Sequence, residues 1–157
     1  MSRYFTPAAL GQVYLPGPET PLAIDLLRET VPPLRIGALH LLEMAERLSE
    51  SPRAAELWRQ DRRKGYYEMT ELSLGDLARR AEALAAPMVG TFQVTVLDWL
   101  HVAAALEMEC TEYVDFQPGV RAAARQAGLF VLPIATEPGA PFAPTPYLIT
   151  EEVTHDY

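Results

Sequence analysis

Asp98, Asp115 and Glu43 are the acids whose places in the sequence suit chemistry. Asp98 follows the strand-like run 92–97, Asp115 lies in the strand-like run 113–116, and Glu43 falls in the helical run 38–49. Thr6 and Gln117 stand at matching strand ends without a charge. Open α/β sheets gather their ligands at the carboxyl ends of the strands. Three carboxylates converging there, with Glu43 joining if its helix packs beside the sheet, suit Mg²⁺ or Mn²⁺, hard cations that prefer oxygen ligands. Such ions activate water and stabilise charge on a phosphodiester. Each acid also has a plain structural reading. Asp98 can N-cap a helix, a contribution of about 1 kcal/mol. Glu43 lies four residues before Arg47, the favourable order for an exposed pair, so His40, Glu43 and Arg47 also read as one solvated stripe. Asp115 and Gln117, two apart, would share one face of a strand.

A second set is basic. Arg59, Arg62, Arg63 and Lys64 are interleaved with Trp58, Tyr66 and Tyr67. Cations beside aromatics can hold phosphates and stack bases. The same cations also suit the dipole at a helix C-terminus. His40, His101 and His155 have no ligand spacing, which argues against zinc. His101, one turn after Asp98, reads as a residue that positions a helix or satisfies an interior hydrogen bond. Cys110 is the only cysteine; with Glu107, Glu109 and Glu112 around it, it reads as a small buried apolar residue, not a reactive thiol.

The elements that must position these residues alternate. Strands are expected at 3–6, with Pro7 as a breaker, and at 34–37, 92–97, 113–116 and 129–134. Helices are expected at 21–30, 38–49, 52–64 with Ser51 as N-cap, from the Ser73/Asp76 capping box to residue 86, at 98–109, and at 118–127 closed by Gly128. Strands alternating with helices imply parallel pairing. Residues 1–134 make one α/β domain. Residues 135–157 hold Pro138, Pro141, Pro144 and Pro146, four acids and no Lys or Arg, and read as an acidic tail whose Tyr147-Leu148-Ile149 can add a strand to a sheet edge.

At 157 residues with 49% hydrophobic and 22% charged side chains, the chain has globular composition. A net charge of -8 argues against a general nucleic-acid coat protein, which would be basic. The lone cysteine fits a reducing compartment. With no signal-like start and no span-length apolar run, a cytoplasmic protein with no membrane partner is expected.

The residues 95–106 (TVLDWLHVAAAL), 113–124 (YVDFQPGVRAAA) and 128–133 (GLFVLP), with the looser 37–45 (GALHLLEMA) and the apolar frame of 4–10, carry a resemblance. Over about residues 3–133 the chain resembles PIN domains, in particular the toxins of bacterial type II toxin–antitoxin pairs. The resemblance implies a three-layer α/β/α fold with a mostly parallel central sheet. It implies Glu43 and Asp98 as catalytic acids and Glu43, Asp98 and Asp115 as candidate ligands of Mg²⁺ or Mn²⁺. The chain departs from the family at two of four acids. Thr6 stands where the first Asp belongs, and Gln117 where the fourth does. Asp115 takes the place of a Thr or Ser two residues earlier. Weak metal binding and impaired or altered ribonuclease catalysis are therefore expected, with an antitoxin-like protein, RNA and a second copy of the chain as implied partners. The alternative is a non-catalytic PIN-like module that binds RNA or a protein.

Overall fold

The computed structural model describes residues 2–134 except Val89. The expected acidic tail, 135–157, lies outside the described residues. Five short strands and seven α-helices follow in the order β1 (Arg3–Phe5), α1 (Pro7–Tyr14), α2 (Thr20–Arg28), β2 (Leu34–Ile36), α3 (Ala38–Arg47), α4 (Pro52–Arg63), β3 (Tyr67–Met69), α5 (Leu74–Ala85), α6 (Val96–Glu107), β4 (Glu112–Val114), α7 (Pro118–Gln126) and β5 (Phe130–Leu132). All pairing is parallel: β1-β4-β5 form one sheet and β2-β3 another, and β2 lies against β1.

Successive strand residues point to opposite faces, and this alternation divides the interior. The register row Tyr4–Tyr113–Val131 packs into one apolar cluster with Leu77 of α5, Val102 of α6 and Val120 of α7. The next row, Phe5–Val114–Leu132, packs into a second cluster with Leu10 of α1, Leu26 of α2, Met44 of α3 and Trp58 of α4. The result is a three-layer α/β/α fold. Among the described residues no helix is long and apolar enough to cross a membrane.

The expected strand at 92–97 does not form. Residues 93–95 form neither helix nor strand, and α6 begins at Val96. Phe92 and Val94 pack against the first cluster, which accounts for the alternation that suggested a strand. The run stops at Thr95 because a reciprocal capping box closes there. Thr95 Oγ1 accepts from the Asp98 amide at 3.2 Å, and Asp98 Oδ2 accepts from the Thr95 amide at 2.7 Å. Asp98 is thus the third residue of the helix, not its N-cap. The backbone of Gln93 instead rests on the first turn of α7: a Cβ at Gly119 would lie 2.6 Å from the Gln93 carbonyl oxygen.

The first strand ends before Pro7 as expected, but Pro7 also starts a helix that was not foreseen. Thr6 caps α1, accepting from the Ala9 amide at 3.2 Å, and Pro7 occupies the first turn, where its missing N–H costs nothing. The strand expected at 113–116 ends at Val114, so Asp115 and Gln117 do not share a strand face. Strand β3 was not foreseen; Glu68 and Met69 are exposed on it, so it lacks a two-sided apolar pattern.

Candidate functional site

The parallel topology brings the ends of β1 and β4, and with them Thr6 and Asp115, to one end of the sheet. Thr6 is buried and donates from Oγ1 to Asp115 Oδ2 at 2.6 Å. Asp115, also buried, accepts at Oδ1 from the Gln117 amide at 2.7 Å. Burial raises the Asp115 pKa above the usual carboxylate value, and the charge of Asp98 adds to this; the Thr6 and Gln117 donors and the Arg121 charge oppose it. Gln117 caps α7 through its backbone alone, and its side chain makes no capping bond.

Asp98 is held in its capping box, where Oδ2 also accepts from Thr95 Oγ1 at 2.9 Å. Glu43 comes to the same helix from α3, as a hydrogen bond joins its Oε2 to His101 Nε2. The other ring nitrogen, His101 Nδ1, lies 2.6 Å from the Tyr4 hydroxyl. Burial, then Glu43 and Cys110, holds the Tyr4 pKa well above its ordinary value, so the phenol keeps its proton. A carboxylate only accepts, so His101 Nε2 carries the proton and donates to Glu43, and with one ring proton Nδ1 accepts from the Tyr4 hydroxyl. The ring next to it, His40, is fixed as well: Nδ1 accepts from the Gly37 amide at 3.1 Å, and Nε2 donates to the Phe5 carbonyl at 2.8 Å. Burial and the nearby His101 lower the His40 pKa to about 3. Neither histidine has a lone pair left for zinc.

Two residues at this end carried little signal in the sequence. Arg121 is buried; its Nη1 donates to the carbonyls of Asp115 at 2.6 Å and Leu132 at 2.9 Å, and its Nη2 to Pro133. It thereby joins the ends of β4 and β5. The available clue was its place on a helix face with Val120 and Ala124, both buried. Tyr113 stacks on Tyr4 at 5.5 Å between ring centroids. Its buried hydroxyl has no hydrogen-bond partner among the described residues. Burial first, then the charges of Tyr4, Asp115, Asp98 and Glu43, raises its pKa well above the ordinary value.

The basic set lies elsewhere. Arg59, Arg62, Arg63 and Lys64 occupy the last turns of α4, which leads into the first residue of β3. Arg35 meets Ser2 and His40 meets Phe5, so β2, with β3 parallel to it, runs in the direction of β1, and these cations lie at the end opposite Thr6 and Asp115. Arg59 and Arg63 pair with Glu56 at 3.4 and 2.7 Å, Lys64 reaches Asp61 at 4.0 Å, and Arg62 lies 5.2 Å from the centre of the Trp58 ring.

Among the described residues no three His, Cys, Asp or Glu side chains lie together as a metal-holding group. The end of the sheet does offer two half-buried carboxylates, Glu43 and Asp98, each anchored through one oxygen. The second oxygen of each has no hydrogen-bond partner among the described residues. Donors of this type fit Mg²⁺ or Mn²⁺ held through one or two carboxylates with water completing the shell. Compared with known proteins, the chain matches no family model and no curated sequence.

Proposed function

We propose that this chain is a PIN-like domain related to the metal-dependent ribonuclease toxins of toxin–antitoxin pairs, with impaired or altered catalysis. The observation that carries the reading is the hydrogen-bonded pair Thr6–Asp115. The family pattern puts a carboxylate at position 6 and a hydroxyl at 115; here the two are exchanged across adjacent strands. A carboxylate–hydroxyl pair is kept, but its charge is one strand over, buried, and accepting at both oxygens. Glu43 and Asp98 would hold the cation, with Asp115 behind them. A Mg²⁺ or Mn²⁺ ion, when bound, supplies charge stabilisation at a phosphodiester and activation of water. With two accessible carboxylates instead of four, its binding is weak. RNA as substrate, an antitoxin-like protein and a second copy of the chain are the partners this reading implies.

The test is cleavage of single-stranded RNA or tRNA with Mn²⁺ present, wild type against Asp98→Asn. Cleavage that is slow but lost in the variant supports the proposal. Equal background activity in both rejects it.

One observation favours a second reading, a non-catalytic module that binds RNA or a protein. All three acids already have internal hydrogen-bond partners: Thr95 for Asp98, His101 for Glu43, Thr6 and Gln117 for Asp115. On that reading calorimetry finds no Mg²⁺ uptake by the wild type, and Thr6→Asp with Gln117→Asp creates it.

A further inference from the structure

A line of polar groups runs through the layer between the sheet and α6, where apolar side chains would pack as well. It starts at Tyr4, fully buried on β1, passes through His101, 3% exposed on α6, and ends at Glu43, whose side chain is 15% exposed on α3. Each link has a fixed direction: the Tyr4 hydroxyl donates to Nδ1, and Nε2–H donates to the Glu43 carboxylate. A buried polar chain gives no more stability than well-packed hydrophobic residues of the same volume. What it can supply is orientation. His40 fixes the other side of the arrangement, binding the Phe5 carbonyl and so tying the first turn of α3 to β1 one turn before Glu43.

We propose that Tyr4 and His101 are positioning residues that hold the Glu43 carboxylate as a preoriented ligand for a divalent cation. This rests on the cation site proposed above. A glutamate on a helix surface must give up rotamer freedom when it binds an ion. Here that ordering is done in advance, since Oε2 is engaged and Oε1 is left for the ligand. A histidine that donates one N–H to a carboxylate and is itself fixed at the other nitrogen transmits orientation in this way. Tyr113, fully buried, stacks on Tyr4 and helps to fix the ring that begins the chain.

Two measurements test this. The first needs no metal. The imidazole ¹⁵N spectrum of the wild type should give His101 with a protonated Nε2 and a bare, hydrogen-bonded Nδ1, and Tyr4→Phe should shift the Nδ1 resonance as that bond is lost while Glu43 keeps the proton on Nε2. The opposite tautomer in the wild type, or no change in Tyr4→Phe, overturns the inference whatever the metal does. The second is titration of the folded chain with Mn²⁺, followed by the resonance of the free ion. His101→Leu should weaken binding by about tenfold or more, the loss typical of outer-shell partners. His101→Gln, which keeps an N–H for Glu43, should recover most of it, and Tyr4→Phe should show a smaller loss in the same direction. Unchanged affinity in a folded His101→Leu overturns the inference. So does a His101→Gln variant as weak as His101→Leu, which would mean that the ring only fills space. If the wild type takes up no Mn²⁺ while the tautomer is as stated, the cation site falls and the orientation of Glu43 by Tyr4 and His101 stands.

Discussion

Charge is handled in two ways at the carboxyl end of the sheet and at the last turns of α4. Arg59, Arg63 and Lys64 stand in solvent at the end of α4 and pair with acids of their own helix, Arg59 and Arg63 with Glu56 and Lys64 with Asp61, while Arg62 lies half-buried over Trp58. Exposed pairs of this kind contribute between nothing and about 1 kcal/mol. The acids at the carboxyl end are partly or fully withdrawn from water and bound by neutral donors, which for Asp115 and Glu43 come from distant parts of the chain. Asp61 of α4 also has a partner from another element, Tyr14 of α1; only in the second region are charged groups themselves buried, and there an altered partner has an energetic consequence.

The largest effect that would separate the two regions is at Arg121. Its guanidinium is buried against three carbonyls, so Arg121→Ala should cost roughly 3–5 kcal/mol in urea unfolding, because it strands groups that cannot reach water. A cost below about 1 kcal/mol would place it with the α4 cations.

Next is the acid limb of stability. His40 has a folded pKa of about 3 against 6.5 unfolded. The unfolded chain therefore takes up a proton that the folded chain refuses, and stability falls as pH drops from about 6.5 toward about 3, on the order of a few kcal/mol in total. Thermal melts across this range should show the slope, and His40→Phe should flatten it. Asp115 acts with the opposite sign. Its raised folded pKa means that ionisation costs stability above that value, so Asp115→Asn should remove a small loss that appears as pH rises past 3.8.

The two stacked tyrosines give a smaller contrast. Tyr4→Phe leaves His101 Nδ1 without its donor and should cost about 1–2 kcal/mol. Tyr113→Phe removes a hydroxyl that has no partner and should be neutral or stabilising by up to about 1 kcal/mol. Equal losses at the two positions would show that the Tyr113 hydroxyl is bound by something else. Smallest of all, Arg59→Ala with Arg63→Ala should leave the urea midpoint almost unchanged. A larger shift would break the distinction between the two regions.

Much of the architecture was legible because burial and periodicity coincide. The strands around 3–6, 34–37 and 129–134 and the helices at 38–49 and 52–64 lie where the apolar pattern puts them, within a residue or two at most ends. The run 92–97 failed because a period of two reports a half-buried extended chain, whether or not a strand lies beside it. Helix α1 was missed because Pro7 ends one kind of element and begins another, and the Thr6 hydroxyl decides which. At the site the acids themselves could be picked out by type and position. Their partners could not, since Tyr4 meets His101 across 97 residues and Thr6 meets Asp115 across 109. No local spacing encodes such pairs.

The bare contact between Gly119 and the Gln93 backbone has a mechanical meaning. It sets the gauge between the segment that delivers Asp98 and the one that delivers Asp115, with peptide resting on peptide and no side chain between them as a spacer. A single methyl group at 119 would act as a wedge and spread the two segments while leaving every polar group chemically intact. The separation of the two segments is thus determined at a position that carries no charge, no hydroxyl and no side chain.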